Sequence, residues 1–139
     1  MTVDPHVVKL RLDMILSHIE ELKEVSQNAE DSFLSNSILR RATERSLQLI
    51  AQAIIDICTH IVAHNHWGAP QTYSDTVREV SNRGMIEKGL SSRLVELVKL
   101  RNVIVHLYLE IDPKIVYRSA VLAVTDAKLF IESMNKLFE

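Results

Sequence analysis

The sequence has 139 residues and a formal net charge of −2, with 47% hydrophobic residues, only 5% aromatics, and three glycines and three prolines. That length supports one domain with a proper core and is too short to expect two, so a single domain over residues 1–139 is expected. Few helix breakers and many Leu, Ile, Val and Ala favour long helices packed through aliphatic side chains, while the charge excludes a whole-chain nucleic-acid footprint.

Asp4-Pro5 is a helix start, since Asp can cap free N–H groups and Pro tolerates the first helical position. Val8, Leu12, Ile15, Leu16, Ile19 and Leu22 then recur at three and four, predicting an amphipathic helix to about Val25. Ser26 to Ser37 is polar and reads as a connection anchored by Phe33 and Leu34. A second, longer helix starts near Ser35 or Asn36 and runs to about His64. Its stripe is Leu39, Leu47, Ile50, Ile54, Ile57 and Ile61, widened by Ala51, Ile55 and Cys58. Trp67 to Tyr73 breaks it, with Gly68 and Pro70 as the stop signals.

Ser74 is the expected cap of a short helix from Asp75 to Asn82, which Gly84 ends. A further long helix begins near Leu90 or Ser91 and is expected to reach about Leu109. Asp112-Pro113 repeats the cap-plus-proline start, and the last helix carries Val116, Ala120, Ala123, Ala127, Phe130, Met134 and Leu137 on one stripe. The fold class is therefore all-α: an up-and-down bundle of four long helices plus a short one. Cys58 is alone, so no intramolecular disulfide can form. The N-terminal residues carry no basic-then-apolar leader, and no stretch approaches the roughly 18–20 uninterrupted apolar residues of a membrane span. A cytoplasmic protein with no membrane contact is the expectation.

Polar, chemically capable side chains interrupt the last apolar stripe but one at Leu100-Arg101-Asn102-Val103-Ile104-Val105-His106-Leu107-Tyr108. On a continuous helix Arg101 and His106 sit roughly 140° apart, whereas Asn102 and His106, four apart, share a face. Tyr108, seven from Arg101, lies near the Arg face, and Val103, Ile104 and Leu107 continue the apolar seam.

This pattern resembles the Arg-x4-His signature of the HEPN superfamily and, more narrowly, the Arg-x4-His-x-Tyr motif of HepT toxins. Glu44-Arg45…Leu47-Gln48…Ala53-Ile54-Ile55-Asp56-Ile57 is similar to the second helix of that family, and the resemblance covers nearly the whole chain. It implies a HEPN-like bundle and a metal-independent endoribonuclease, with no cofactor, acting as a homodimeric toxin. It also implies a minimal nucleotidyltransferase antitoxin (MntA-like) that neutralises the toxin by attaching AMP to Tyr108.

The side chains suit that chemistry. RNA cleavage without metal requires a proton taken from the 2′-hydroxyl, a proton given to the leaving 5′-oxygen, and positive charge on the phosphate. His106 can move a proton near neutral pH, and Arg101 can hold phosphate oxygens with its planar fork. Asn102 can orient the imidazole or bind a phosphate oxygen. One chain offers one His and one Arg, so a two-fold dimer would double the set. The plainer readings are a decorated surface for Arg101 and His106, a structural contact for Asn102 and an interface aromatic for Tyr108. The rival function is a non-catalytic helical partner or substrate-binding subunit of a nucleotidyltransferase, which the acidic charge suits.

Two other clusters compete. His60, His64 and His66 include an i, i+4 pair able to bind zinc, but no carboxylate or thiol completes a site, so none is expected. Arg40, Arg41 and Arg45, with Glu44 among them, read as a solvated face or as contacts to an RNA backbone.

Overall fold

The computed structural model describes residues 3–138 and contains, among them, six α-helices and one 3-10 turn. Four helices are long: α1 (Pro5–Ser26), α3 (Ser37–His64), α5 (Lys88–His106) and α6 (Pro113–Leu137). Two are short, α2 (Glu30–Leu34) and α4 (Tyr73–Asn82), so the expected single short helix has a companion inside the connection after α1. Phe33 on α2 is fully buried with its ring 5.3 Å from that of Tyr117, whose hydroxyl donates to the Asn28 carbonyl at 2.6 Å. That anchoring explains why a polar stretch holds a helical turn.

Side-chain caps set the helix starts by accepting otherwise unpaired backbone N–H groups. Asp4 accepts from His6, Asn36 from Leu39, and Asp112 from Lys114. Thr72, not Ser74, caps α4 by accepting the Asp75 N–H at 3.0 Å, so that helix begins two residues earlier than the sequence suggests. Glu87 caps α5 through Gly89 and Leu90, again ahead of the expected start. Gly84, at φ +84°, takes the left-handed conformation that ends α4.

The core is aliphatic, with α3 at its centre packing on α1, α4, α5 and α6. Ile50, Ile54, Ile57 and Ile61 of α3 are fully buried against Ile15 and Ile19 of α1 and Ala120, Ala127 and Phe130 of α6. Two stripe expectations fail: Leu16 is 49% exposed and Leu137 40%, because both lie at the edge of the helix face that meets the bundle. By length and composition α3 could cross a membrane, yet its apolar side chains are the centre of this core. Arg93 on α5 pairs with the buried Asp126 of α6 at 2.8 Å.

Candidate functional site

The end of α5 determines the site. Up to Leu100 the helix carries a buried face; from Arg101 onward none of its residues is fully buried. Val103, Ile104 and Val105 are β-branched in succession, a run that favours helix poorly. At Leu107 the backbone leaves helical geometry, with φ −128° and ψ 43°, and residues Tyr108–Glu110 form the 3-10 turn. The helix therefore stops at His106 rather than near Leu109. Tyr108 is not on α5, and the angular argument that placed it beside Arg101 does not apply. It is 68% exposed, on the turn that follows the imidazole.

Arg101, Asn102 and His106 line one open cleft of about 630 Å³, together with Val103, Leu107 and the α4 entry residues Gln71, Thr72 and Tyr73. Despite their helical offset Arg101 and His106 line the same cleft, and the arginine side chain is held there by neighbours on α3, α4 and α5. One terminal nitrogen donates to Gln52 Oε1 on α3 at 2.8 Å, and the other donates to Asn102 Oδ1 at 3.0 Å. The guanidinium carbon lies 5.3 Å from the centre of the Tyr73 ring, a cation–π contact. Its Nε is buried and makes no hydrogen bond among the described residues. Asn102 thus serves the arginine and not the imidazole. His106 is exposed and hydrogen-bonds none of the described side chains, which leaves both ring nitrogens open to a substrate.

Gln52 and Tyr73 were not singled out from the sequence. Gln52 also donates to Asp56 at 2.8 Å, and Asp56 faces Arg11 of α1 at 3.7 Å, so a polar chain runs from α1 across α3 to Arg101. The signal was present: Gln52 and Asp56 are polar residues one turn apart on a helix that is otherwise apolar at its middle.

The competing clusters resolve differently. His60 Nε2 accepts the Asp4 backbone N–H at 3.2 Å, and His64 Nδ1 lies 3.0 Å from the His60 carbonyl. Among the described residues no three His, Cys, Asp or Glu side chains converge as a metal site. Arg40 donates to the Leu34 carbonyl at 2.7 Å and so ties α2 to α3, while Arg45 reaches Gln48. Burial raises the Glu44 carboxyl above its ordinary range against the pull of Arg40 and Arg41. Cys58 is fully buried and its thiol is pushed up to about 12, which makes it an inert core residue.

Known proteins share this architecture. Residues 15–134 match the family model described as ribonuclease HepT-like. The chain is 30% identical over 133 residues to the tRNA nuclease HepT of Aphanizomenon flos-aquae, covering 96% of this chain and 90% of that protein. It is 32% identical over 107 residues to the mRNA nuclease HepT of Shewanella oneidensis, 77% of each chain. The solved structure of the tri-AMPylated Shewanella oneidensis HEPN toxin in complex with MNT antitoxin superimposes with a TM-score of 0.85 at 26% identity, covering 94% of this chain and 97% of that one. With the family matched over residues 15–134 and a curated nuclease aligned along 96% of the chain, this protein belongs to the HepT-like ribonucleases.

Proposed function

We propose that this HepT-like toxin cleaves RNA without a metal ion, at a site completed by a second copy of the chain. The observation that carries the reading is the gathering of Arg101, Asn102 and His106 on one open cleft, with the guanidinium fixed by Gln52 and Asn102. In the reaction a base removes the 2′-hydroxyl proton and the 2′-oxygen attacks the neighbouring phosphorus. The bond to the 5′-oxygen breaks as an acid protonates it, leaving a 2′,3′-cyclic phosphate and a 5′-hydroxyl. Arg101 stabilises the charge on the phosphate oxygens through the step, a role suited to a cation that never loses its proton.

His106 of one chain can serve as base or acid, not both at once, so the partner's imidazole supplies the other role. Exposed apolar side chains at the end of α5 support the pairing: Leu107, which lines the cleft, and Leu109 on the following turn are 49% and 87% exposed. Tyr108, 68% exposed on the turn that follows His106, is the acceptor for AMP from a nucleotidyltransferase antitoxin, by analogy with the tri-AMPylated Shewanella oneidensis toxin. A cytoplasmic location fits an RNA substrate and a single unpaired cysteine.

The deciding experiment incubates purified protein with tRNA and mRNA in excess EDTA. Cleavage by wild type that survives EDTA and falls at least about 10²-fold in His106→Ala supports the reading, since one proton-transfer group contributes about that much or more. Cleavage at the wild-type rate in His106→Ala would sink it. Absence of cleavage alongside tight binding to a nucleotidyltransferase would favour the non-catalytic partner instead.

A further inference from the structure

The cations of this chain are unevenly distributed. Residues 73–106, which contain α4 and α5, hold six Lys and Arg against four Asp and Glu, in a chain whose net charge is −2. Three of those four carboxylates are already engaged at close range. Asp75 pairs with Arg78 at 3.0 Å, Glu79 pairs with Arg83 at 2.9 Å, and Glu87 caps the start of α5. The fourth, Glu96, meets Lys99 at 3.3 Å as a solvent-exposed pair, of the kind worth little. Lys88 has no ion pair among the described residues.

These groups line a groove of about 360 Å³ between α4 and α5, separate from the cleft at the motif. Its rim carries Arg78, Asn82, Lys88, Ser92 and Lys99, with Glu96 as the one carboxylate. The register of α5 connects the two features. At about 100° per residue, Lys88, Ser92, Lys99 and His106 fall within about 40° of one another around the helix. At about 1.5 Å per residue, Lys99 stands about 10 Å and Lys88 about 27 Å along the axis from the imidazole. One helix face thus leads from His106 past two lysines, over the length that a single strand of several nucleotides would cover.

We propose that the groove between α4 and α5 holds the RNA strand flanking the cleaved bond, with Lys99, Lys88 and Arg78 contacting successive phosphates and Asn82 and Ser92 offering hydrogen bonds. The inference rests on the ribonuclease reading above. A polynucleotide fits better than a small anion because the cations are strung out along the helix and do not converge on one point.

The test uses the full-length His106→Ala protein, so that RNA is bound without being cut, and compares it with the same protein carrying Lys88→Ala and Lys99→Ala. Both lysines are exposed, so the melting temperature should not change. Loss of two phosphate contacts should flatten the slope of log affinity against log salt by about 1.4 and weaken binding about tenfold or more at low salt. Lys88→Arg with Lys99→Arg should restore both. In the cleaving protein, the alanine pair should raise KM for RNA more than it lowers kcat. Unchanged affinity and slope, in a protein whose wild type cleaves RNA through His106, would overturn the groove and leave the ribonuclease reading standing. Unchanged RNA binding with lost affinity for a nucleotidyltransferase would also overturn it, assigning the groove to a protein partner. A wild type that neither binds nor cleaves RNA would remove the underlying reading itself.

Discussion

Gln52 Oε1 and the Arg101 guanidinium meet at 2.8 Å across 49 residues of sequence, joining the middle of α3 to the end of α5. The same amide donates to Asp56, so Gln52 is fixed from the other side as it presents its oxygen to the arginine. A flexible cationic side chain is thereby held in one place before any phosphate arrives, and the ordering does not have to be supplied during the reaction. Replacing Gln52 by Leu removes the acceptor. A hydrogen bond to a charged group is worth about 1.5–3 kcal/mol, so cleavage should fall about ten- to a hundredfold. Gln52→Glu keeps an acceptor oxygen and should recover part of the rate. Single-turnover cleavage measured beside thermal melts checks this: a Gln52→Leu protein that melts as wild type and cuts as fast would show that the contact is incidental.

The bundle was readable from the sequence because its signals are local: apolar residues at three and four, Asp-Pro starts, and glycine at the end of α4. The motif was readable because Arg101, Asn102 and His106 interrupt the apolar stripe of a helix, with Tyr108 two positions beyond its end. The end of α5 was less readable. Val103, Ile104 and Val105 look like continuing core, yet they are only half-buried, and the helix stops where tertiary packing stops supporting it. Tyr108 consequently lies on a turn, reached by a route that helical angles do not describe. Gln52 was only half readable for another reason: its polarity stands out within α3, but its role depends on which helices pack together, and periodicity within α3 carries no information about α5.

His60 makes folding sensitive to mild acid. Its Nε2 accepts the Asp4 N–H, which requires that nitrogen to be unprotonated. Burial first, and then the neighbouring His64, hold its pKa below the ordinary histidine value. Between that lowered value and the ordinary one, the unfolded chain binds a proton that folded His60 does not, so stability rises with pH there and falls as pH drops through the window. Urea midpoints should therefore be lower at roughly pH 5.5 than at roughly pH 7.5, and His60→Gln should narrow the gap. A gap of the same size in His60→Gln would assign the acid sensitivity to other groups.

Leu109 tests the second copy. It is 87% exposed on the turn beside the cleft and contributes nothing to the core of its own chain. Leu109→Asp should leave the melting of the isolated fold within about 0.5 kcal/mol of wild type, as expected for a surface change. Burying an unpaired carboxylate at an apolar contact is unfavourable, so the same change should shift the particle toward monomer in light scattering. If the site is shared, cleavage should fall with the dimer fraction. A monomer that cleaves at the wild-type rate would show that one chain carries a complete site.

Tyr108 separates regulation from catalysis. The residue is largely exposed and is not part of the core, so Tyr108→Phe removes one oxygen with little effect on the fold. The residue follows His106 by two positions, on a turn with no helical scaffold between them. An AMP group attached there would add a phosphate charge and a bulky nucleoside two residues from His106, and with Arg101 receiving the RNA phosphate as proposed, repulsion together with obstruction should weaken RNA binding. The chain carrying Tyr108→Phe should thus cleave RNA at nearly the wild-type rate and stay toxic when co-expressed with its nucleotidyltransferase. Intact-mass measurement should find AMP on the co-expressed wild type and none on the variant. AMP addition to Tyr108→Phe at undiminished yield would place the acceptor elsewhere, with Tyr73 and Tyr117 as the remaining phenols, and of these only Tyr73 lines the cleft.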